Sequence, residues 1–222
     1  NDIESSNISR LSEVLIEVNN ISQLMAIEKT FNDEYDLVIP FASYDLFKDI
    51  KIIREISHAN NIILELPIVI REDKVGLLED SLDIMRQYDG FLASGYDGLR
   101  FVRSNNLSGI VIAGLHLYTF NNTSVDFVKK LGADYNVAPI ELNYKELNHR
   151  NNYDSIITIY GRAPMMISDN CINKNCSSCD KTEKVLKLRD KSGHSFIVLN
   201  KCKVCYNVIY NDLPTCLFDE SD

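Results

Sequence analysis

Seven short runs rich in β-branched residues, each separated from the next by a longer amphipathic segment, occupy the chain from Glu13 to about Tyr160 and constrain its fold more than any other feature. The runs are VLIEV, DLVIP, IILELP, GFLAS, GIVIAG, YNVAP and SIITIY. Between them stand ISQLMAIEKTF, DLFKDIKIIREISHAN, VGLLEDSLDIMRQY, YDGLRFVRS, TSVDFVKKLG and NYKELNHRN. Parallel strands need a crossover between them, and helices supply it, so strict alternation implies βα units and a parallel sheet. A repeat of about 20 to 25 residues suits a (β/α) TIM-like barrel, whole or incomplete, over residues 1–162. The first run leads into NNISQ, with no G-x-G-x-x-G or Walker pattern, which weighs against a nucleotide-binding Rossmann arrangement.

The pattern changes after Arg162. KVLKLRDKSGHSFIVLN reads as two strands around a DKSG turn, with Val185, Leu186, Leu188, Phe196 and Val198 supplying the alternation. All six cysteines lie between Cys171 and Cys216. A disulfide scaffold would spread them through the fold, whereas clustering with Cys-x-x-Cys spacing points to metal. A two-residue spacer lets both thiolates of a pair face one ion, and two such pairs about twenty residues apart are a common structural zinc arrangement. Cys176, Cys179, Cys202 and Cys205 have this spacing, and Cys171 is a fifth candidate close enough to replace one of them. Residues 163–222 are therefore expected to form a small cysteine-rich β-hairpin metal module. Four thiolates also hold iron-sulfur clusters, so the spacing leaves zinc and a four-iron four-sulfur cluster both open.

Charge bears on partners. The 222 residues carry a formal net charge of −9, which argues against general polyanion binding. Between Cys171 and Cys205, however, eight Lys or Arg stand against three acids. That basic hairpin could contact RNA, although a solvated charged surface explains it as well. There is no apolar run of the roughly 18 residues that a bilayer span requires, and the first 20 residues lack a signal-peptide pattern, so a cytoplasmic protein without membrane contact is expected. The polar start without Met suggests that residue 1 follows an upstream region of a longer or processed polypeptide.

In a barrel, function sits on the loops that follow the strands. Those positions hold Asn19, Asn20, Pro40, Pro67, Ser94, His116, Asn121, Glu141, Tyr160 and Arg162. Pro40 and Pro67 are explained by strand termination, since proline lacks a ladder donor. His116, in GLHLY, is the histidine a barrel would use, and Glu141 and Arg162 could grip a small anion or pair across the mouth. No H-E-x-x-H, G-x-S-x-G or S-x-x-K occurs, so a hydrolase would have to assemble its site in space.

The stretch YGRAPMMISDNC, followed by LKLRDKSGHSFIVLNKCKVCYNVIYNDLPTCL, resembles the end of proteins classed as peptidase family U32, the collagenase-like peptidases. IEVNNISQLMA, ILELPIVIR and IAGLHLYTFNN with LGADYNVAPIELNYKEL fit the same family in order, so the resemblance covers nearly the whole chain and is greatest to the C-terminal region of long members. It implies a (β/α) barrel, and either peptidase activity or oxygen-independent hydroxylation of RNA bases or quinone precursors with an iron-sulfur cluster. The family pattern of glycine, small residue, aliphatic residue and cysteine reads Gly161, Arg162, Ala163 and Pro164 here, so Pro164 replaces a cluster ligand. Ile156 and Thr158 stand where glutamate and phenylalanine are expected. By this resemblance Cys171, Cys179, Cys202 and Cys205 are the retained thiols and Cys176 a spare or substitute. The implied role is a domain with a redesigned, structural metal site that helps an upstream catalytic region bind substrate.

Overall fold

The computed structural model describes residues 10–176 and 181–217, with Cys176 described by its backbone. Among the described residues the strands form three sheets. The first is parallel and contains β1 (Leu15–Glu17), β2 (Asp36–Pro40), β3 (Ile62–Glu65), β4 (Gly90–Ala93), β5 (Ile110–Ala113), β6 (Tyr135–Val137) and β7 (Ser155–Ile156), paired in chain order. The crossovers are helical: α1 (Ile21–Thr30), α2 (Tyr44–Lys48), α3 (Ile50–Ile56), α4 (Val75–Glu79), α5 (Leu82–Met85), α6 (Tyr96–Ser104), α7 (Asn122–Lys130) and α8 (Tyr144–Asn148). Sequential strand order with a helical crossover between consecutive strands gives a curled, open half-barrel, and no described pairing closes β7 onto β1.

The register assigns each side chain to a face. Leu37, Ile39, Ile62, Leu64, Phe91 and Ala93 belong to one buried cluster with the helix residues Leu24, Phe47, Ile53, Leu78 and Leu99. The alternate residues Val38, Ile63, Ile110, Ile112 and Val137 form a second cluster on the concave face, joined by Leu11 and Leu15 from the entering chain. Both faces being apolar, the strands read as nearly continuous hydrophobic runs. At the N-terminal end of β2, fully buried Asp36 accepts hydrogen bonds from the Ser12 backbone at 2.6 Å and hydroxyl at 3.1 Å. It also accepts from the Asn61 backbone at 2.9 Å and side-chain amide at 2.7 Å, which fixes the entering segment under β2 and β3.

Helix starts follow capping rules. Asn20 accepts from the Gln23 N–H at the start of α1, and Asn121 and Asn143 form capping boxes at α7 and α8. Gly109 adopts φ +121° immediately before β5, where a Cβ would lie 2.3 Å from the Asp89 carbonyl oxygen, so glycine is required there.

The run SIITIY divides. Ser155 and Ile156 join the parallel sheet, while β8 (Tyr160–Gly161) pairs antiparallel with β13 (Thr215–Cys216). The third sheet is antiparallel, in the order β10 (Lys184–Arg189), β11 (Ser195–Lys201), β12 (Tyr206–Tyr210) and β9 (Pro164–Ser168). A short helix, α9 (Ile172–Cys176), follows β9. The hairpin read from KVLKLRDKSGHSFIVLN is β10 and β11, paired from Lys184 with Asn200 to Arg189 with Ser195. It is half of a larger sheet: β12 and β9 extend it and carry the side that faces the half-barrel. Val204, Tyr206 and Val208 are buried in the same hydrophobic cluster as the helix-bearing face, so the two sheets share one core. Among the described residues no helix is long and apolar enough to cross a membrane.

Candidate functional site

The four-residue turn between β11 and β12 is Cys202-Lys203-Val204-Cys205. The Cys205 N–H donates to the Lys201 carbonyl at 2.8 Å, and Cys205 takes the left-handed conformation at φ +61°. This turn sits over the C-terminal ends of the first three parallel strands. Buried Lys201 donates from Nζ to Asn19 Oδ1, just after β1, at 3.2 Å. Lys203 Nζ lies 5.1 Å from the centre of the Tyr44 ring, just after β2. Tyr206 Oη accepts from the Ile68 N–H, just after β3, at 3.3 Å. Arg71 is within electrostatic reach of the Cys205 thiol and forms ion pairs with Asp73 at 2.9 Å and with Asp169, beyond β9. The strand ends where α/β folds place their ligands are thus capped by the cysteine-bearing turn.

The thiols at this end of the sheet are held by one asparagine. Asn200 Nδ2 donates to Cys171 Sγ at 3.4 Å, and the Cys202 Sγ lies 2.7 Å from Asn200 Oδ1 and 2.9 Å from the Thr182 carbonyl oxygen. The Lys174 N–H donates to Cys171 Sγ at 3.4 Å. That backbone bond, supported by Asn200, holds the Cys171 thiol below its usual range. A thiol so biased toward thiolate is chemically suited to a metal. Cys171, Cys202 and Cys205 form no disulfide with one another. Cys179 and the Cys176 side chain lie outside the described residues. Among the described residues no group of three or more His, Cys, Asp or Glu is gathered to hold a metal ion.

Below the turn lies a polar group that strand-end reasoning missed. Register places Glu17 level with Val38 and Glu65 level with Pro40, so both glutamates point to the concave face near the mouth. Glu17 is exposed and accepts from Asn19 Nδ2 at 3.0 Å. Glu65 is part-buried. Desolvation, reinforced by the nearby Glu17 charge and partly offset by Lys201, pushes its carboxyl up to about 8. Tyr206 and Tyr210 close the group from β12, and burial raises both phenols well above their ordinary range. Glu17 and Glu65 lie inside the runs VLIEV and IILELP and so are not among the loop positions that follow the strands. Their signal is an acid at an inward position of an otherwise apolar strand.

The earlier candidates lie elsewhere on the mouth. His116 is part-buried in a short 3-10 turn, Leu115–Leu117, and burial lowers its pKa against the opposing pull of Glu141. Those two are therefore brought near each other. Arg162 is not brought to Glu141: it donates to the Asn211 carbonyl at 3.0 Å, on the β8 and β13 side. On the outer side of β6, buried Arg150 donates from Nη2 to Thr119 at 3.2 Å, to Ser155 at 3.1 Å and to Asn136, while its Nε and Nη1 have no partner among the described residues. Two open depressions, one lined by Arg71, Glu72 and Asp73 and the other by residues 193–196 and 211–213, lie outside the glutamate group. No family model, curated protein or solved structure matches the chain.

Proposed function

We propose that this chain is a peptidase U32-like domain built on an incomplete (β/α) barrel, in which cysteines hold a structural metal ion that pins the C-terminal sheet over the mouth. The thiols of Cys171, Cys202 and Cys205 would bind it with Cys179 as the fourth donor and Cys176 as its substitute, and zinc is the expected ion. When bound, it supplies a closed four-thiolate cross-link and no water-bearing position. The observation that carries this reading is the meeting of Cys171 and Cys202 on Asn200 at the end of the sheet that seats on Asn19, Tyr44 and Ile68. The domain then presents a shaped mouth to substrate, with catalysis contributed by an upstream region.

A second reading has one observation in its favour. A purely structural clip could sit anywhere on the surface, whereas this turn covers the strand ends where barrel enzymes work. An iron-sulfur cluster held by the same thiols would place redox chemistry there, as expected for an oxygen-independent hydroxylase. Metal and sulfide analysis of the full chain purified without oxygen separates the two. One zinc per chain and no visible absorption supports the structural site. A brown protein containing iron and sulfide replaces it with the cluster, and a metal-free, fully folded chain overturns both.

A further inference from the structure

We propose that the apolar ribbon following β7, at the open edge of the half-barrel, is a docking surface for a second copy of this chain. The proposal goes beyond the metal reading and does not need a metal. Residues 157–166 and 209–217 run antiparallel. Thr215 pairs with Gly161, Cys216 with Tyr160 and Ile209 with Met166. The Leu217 N–H donates to the Ile159 carbonyl at 2.8 Å, and the Asn211 N–H to the Ala163 carbonyl at 3.1 Å. Ile157, Thr158, Ile159 and Tyr160 have the composition of an inner strand, yet all four are exposed. Successive side chains of an extended segment point to opposite faces, so solvent reaches both faces of this ribbon. A two-stranded ribbon is marginal by itself and gains stability by packing against another element.

Area and charge select the occupant. Seven large apolar residues of these two segments are exposed, from Leu217 at 36% through Ile157, Ile159, Met166, Tyr160 and Met165 to Leu213 at 72%. At about 200 Å² for a fully exposed residue of this size they present on the order of 800 Å², one partner's share of a stable interface and more than an ordinary monomer patch. The net charge of −9 opposes self-association over the surface as a whole. These two segments, however, hold one cation, Arg162, and one anion, Asp212. Arg162 donates to the Asn211 carbonyl at 3.0 Å, and neither charge has an ion pair among the described residues. A two-fold axis makes every contact twice, so Arg162 of each copy meets Asp212 of the other. A strongly acidic or basic partner finds no excess of opposite charge here, whereas a copy of the same neutral surface is complementary to it. β9 ends its sheet, so its outer edge also offers backbone hydrogen-bonding groups to the second copy.

The test is sedimentation of the full chain across the micromolar range, where a monomer–dimer equilibrium with no larger species is expected. Ile159→Glu and Met165→Glu, both at exposed positions and checked for folding by circular dichroism, are expected to weaken dimerisation at least about tenfold. Val185→Glu, equally exposed but on β10 at the far edge of the antiparallel sheet, is expected to leave it unchanged. Arg162→Glu and Asp212→Arg should each weaken the dimer, and the double variant should recover it. On the wild-type chain, maleimide labelling of the exposed Cys216 on β13, read by mass spectrometry, should slow as protein concentration rises. A monomer at every concentration, assembly that grows past the dimer, a dimer that persists in both folded glutamate variants, or a double variant no tighter than the single ones overturns the proposal.

Discussion

At the scale of single residues, the buried polar groups of this fold divide into those held by several hydrogen bonds from the chain and those set among other charged groups. Asp36 belongs to the first kind. It is fully buried with no ion pair among the described residues, and four hydrogen bonds from Ser12 and Asn61 compensate its desolvation. Asp36→Ala would leave the Asn61 and Ser12 donors unpaired at the base of the sheet. A loss of about 2–3 kcal/mol in unfolding free energy is expected from denaturant titration. A loss below about 0.5 kcal/mol would mean that the entering segment is not fixed by Asp36. Glu65 belongs to the second kind. Its carboxyl is pushed upward by burial and by Glu17, and the chain offers it no hydrogen bond among the described residues.

At the scale of elements, the contact between the β11–β12 turn and the half-barrel is linked to pH through Glu65. Glu17 faces Glu65 from β1, Lys201 from β11, and Tyr206 and Tyr210 from β12. Because the folded-state pKa is raised, the folded chain retains a proton that the unfolded chain releases near the ordinary glutamate value of 4.5. The Glu65 contribution is therefore fully present below 4.5, declines as pH rises, and is lost once pH passes about 8. The stability difference between wild type and Glu65→Gln should narrow or invert over that window when thermal unfolding is compared across pH. Parallel pH profiles would show that Glu65 is not buried as described.

The parallel elements were legible because strand runs and helical segments alternate in period and both faces of the sheet are apolar. The hairpin β10–β11 was legible for the same reason, through alternation around a Gly-containing turn. The division of SIITIY was not, because a β-branched run states a preference for extended backbone and not the identity of its partner: Tyr160 and Gly161 pair with residues about 55 positions later. The seating of the cysteine turn was also invisible. Lys201 to Asn19 and Tyr206 to Ile68 are contacts between residues more than 130 positions apart, and local spacing carries no sign of them. The cysteine spacing carries only the expectation of a metal site; the fold sets where the Cys202–Cys205 turn stands relative to the strands.

At the scale of the whole molecule, two sheets of different type share one core, and the smaller closes over the mouth of the larger. The half-barrel buries its helices against one face, and Val204, Tyr206 and Val208 carry the same cluster into the antiparallel sheet. This arrangement seats the Cys202–Cys205 turn, through Lys201 and Asn19, over the ends of the strands that carry Glu17 and Glu65. X-ray absorption at the metal edge of the anaerobically purified chain tests the central claim most directly. The account predicts zinc with four sulfur neighbours at about 2.3 Å and no light-atom shell. A first shell of oxygen or nitrogen, or no bound metal in the folded chain, would contradict it.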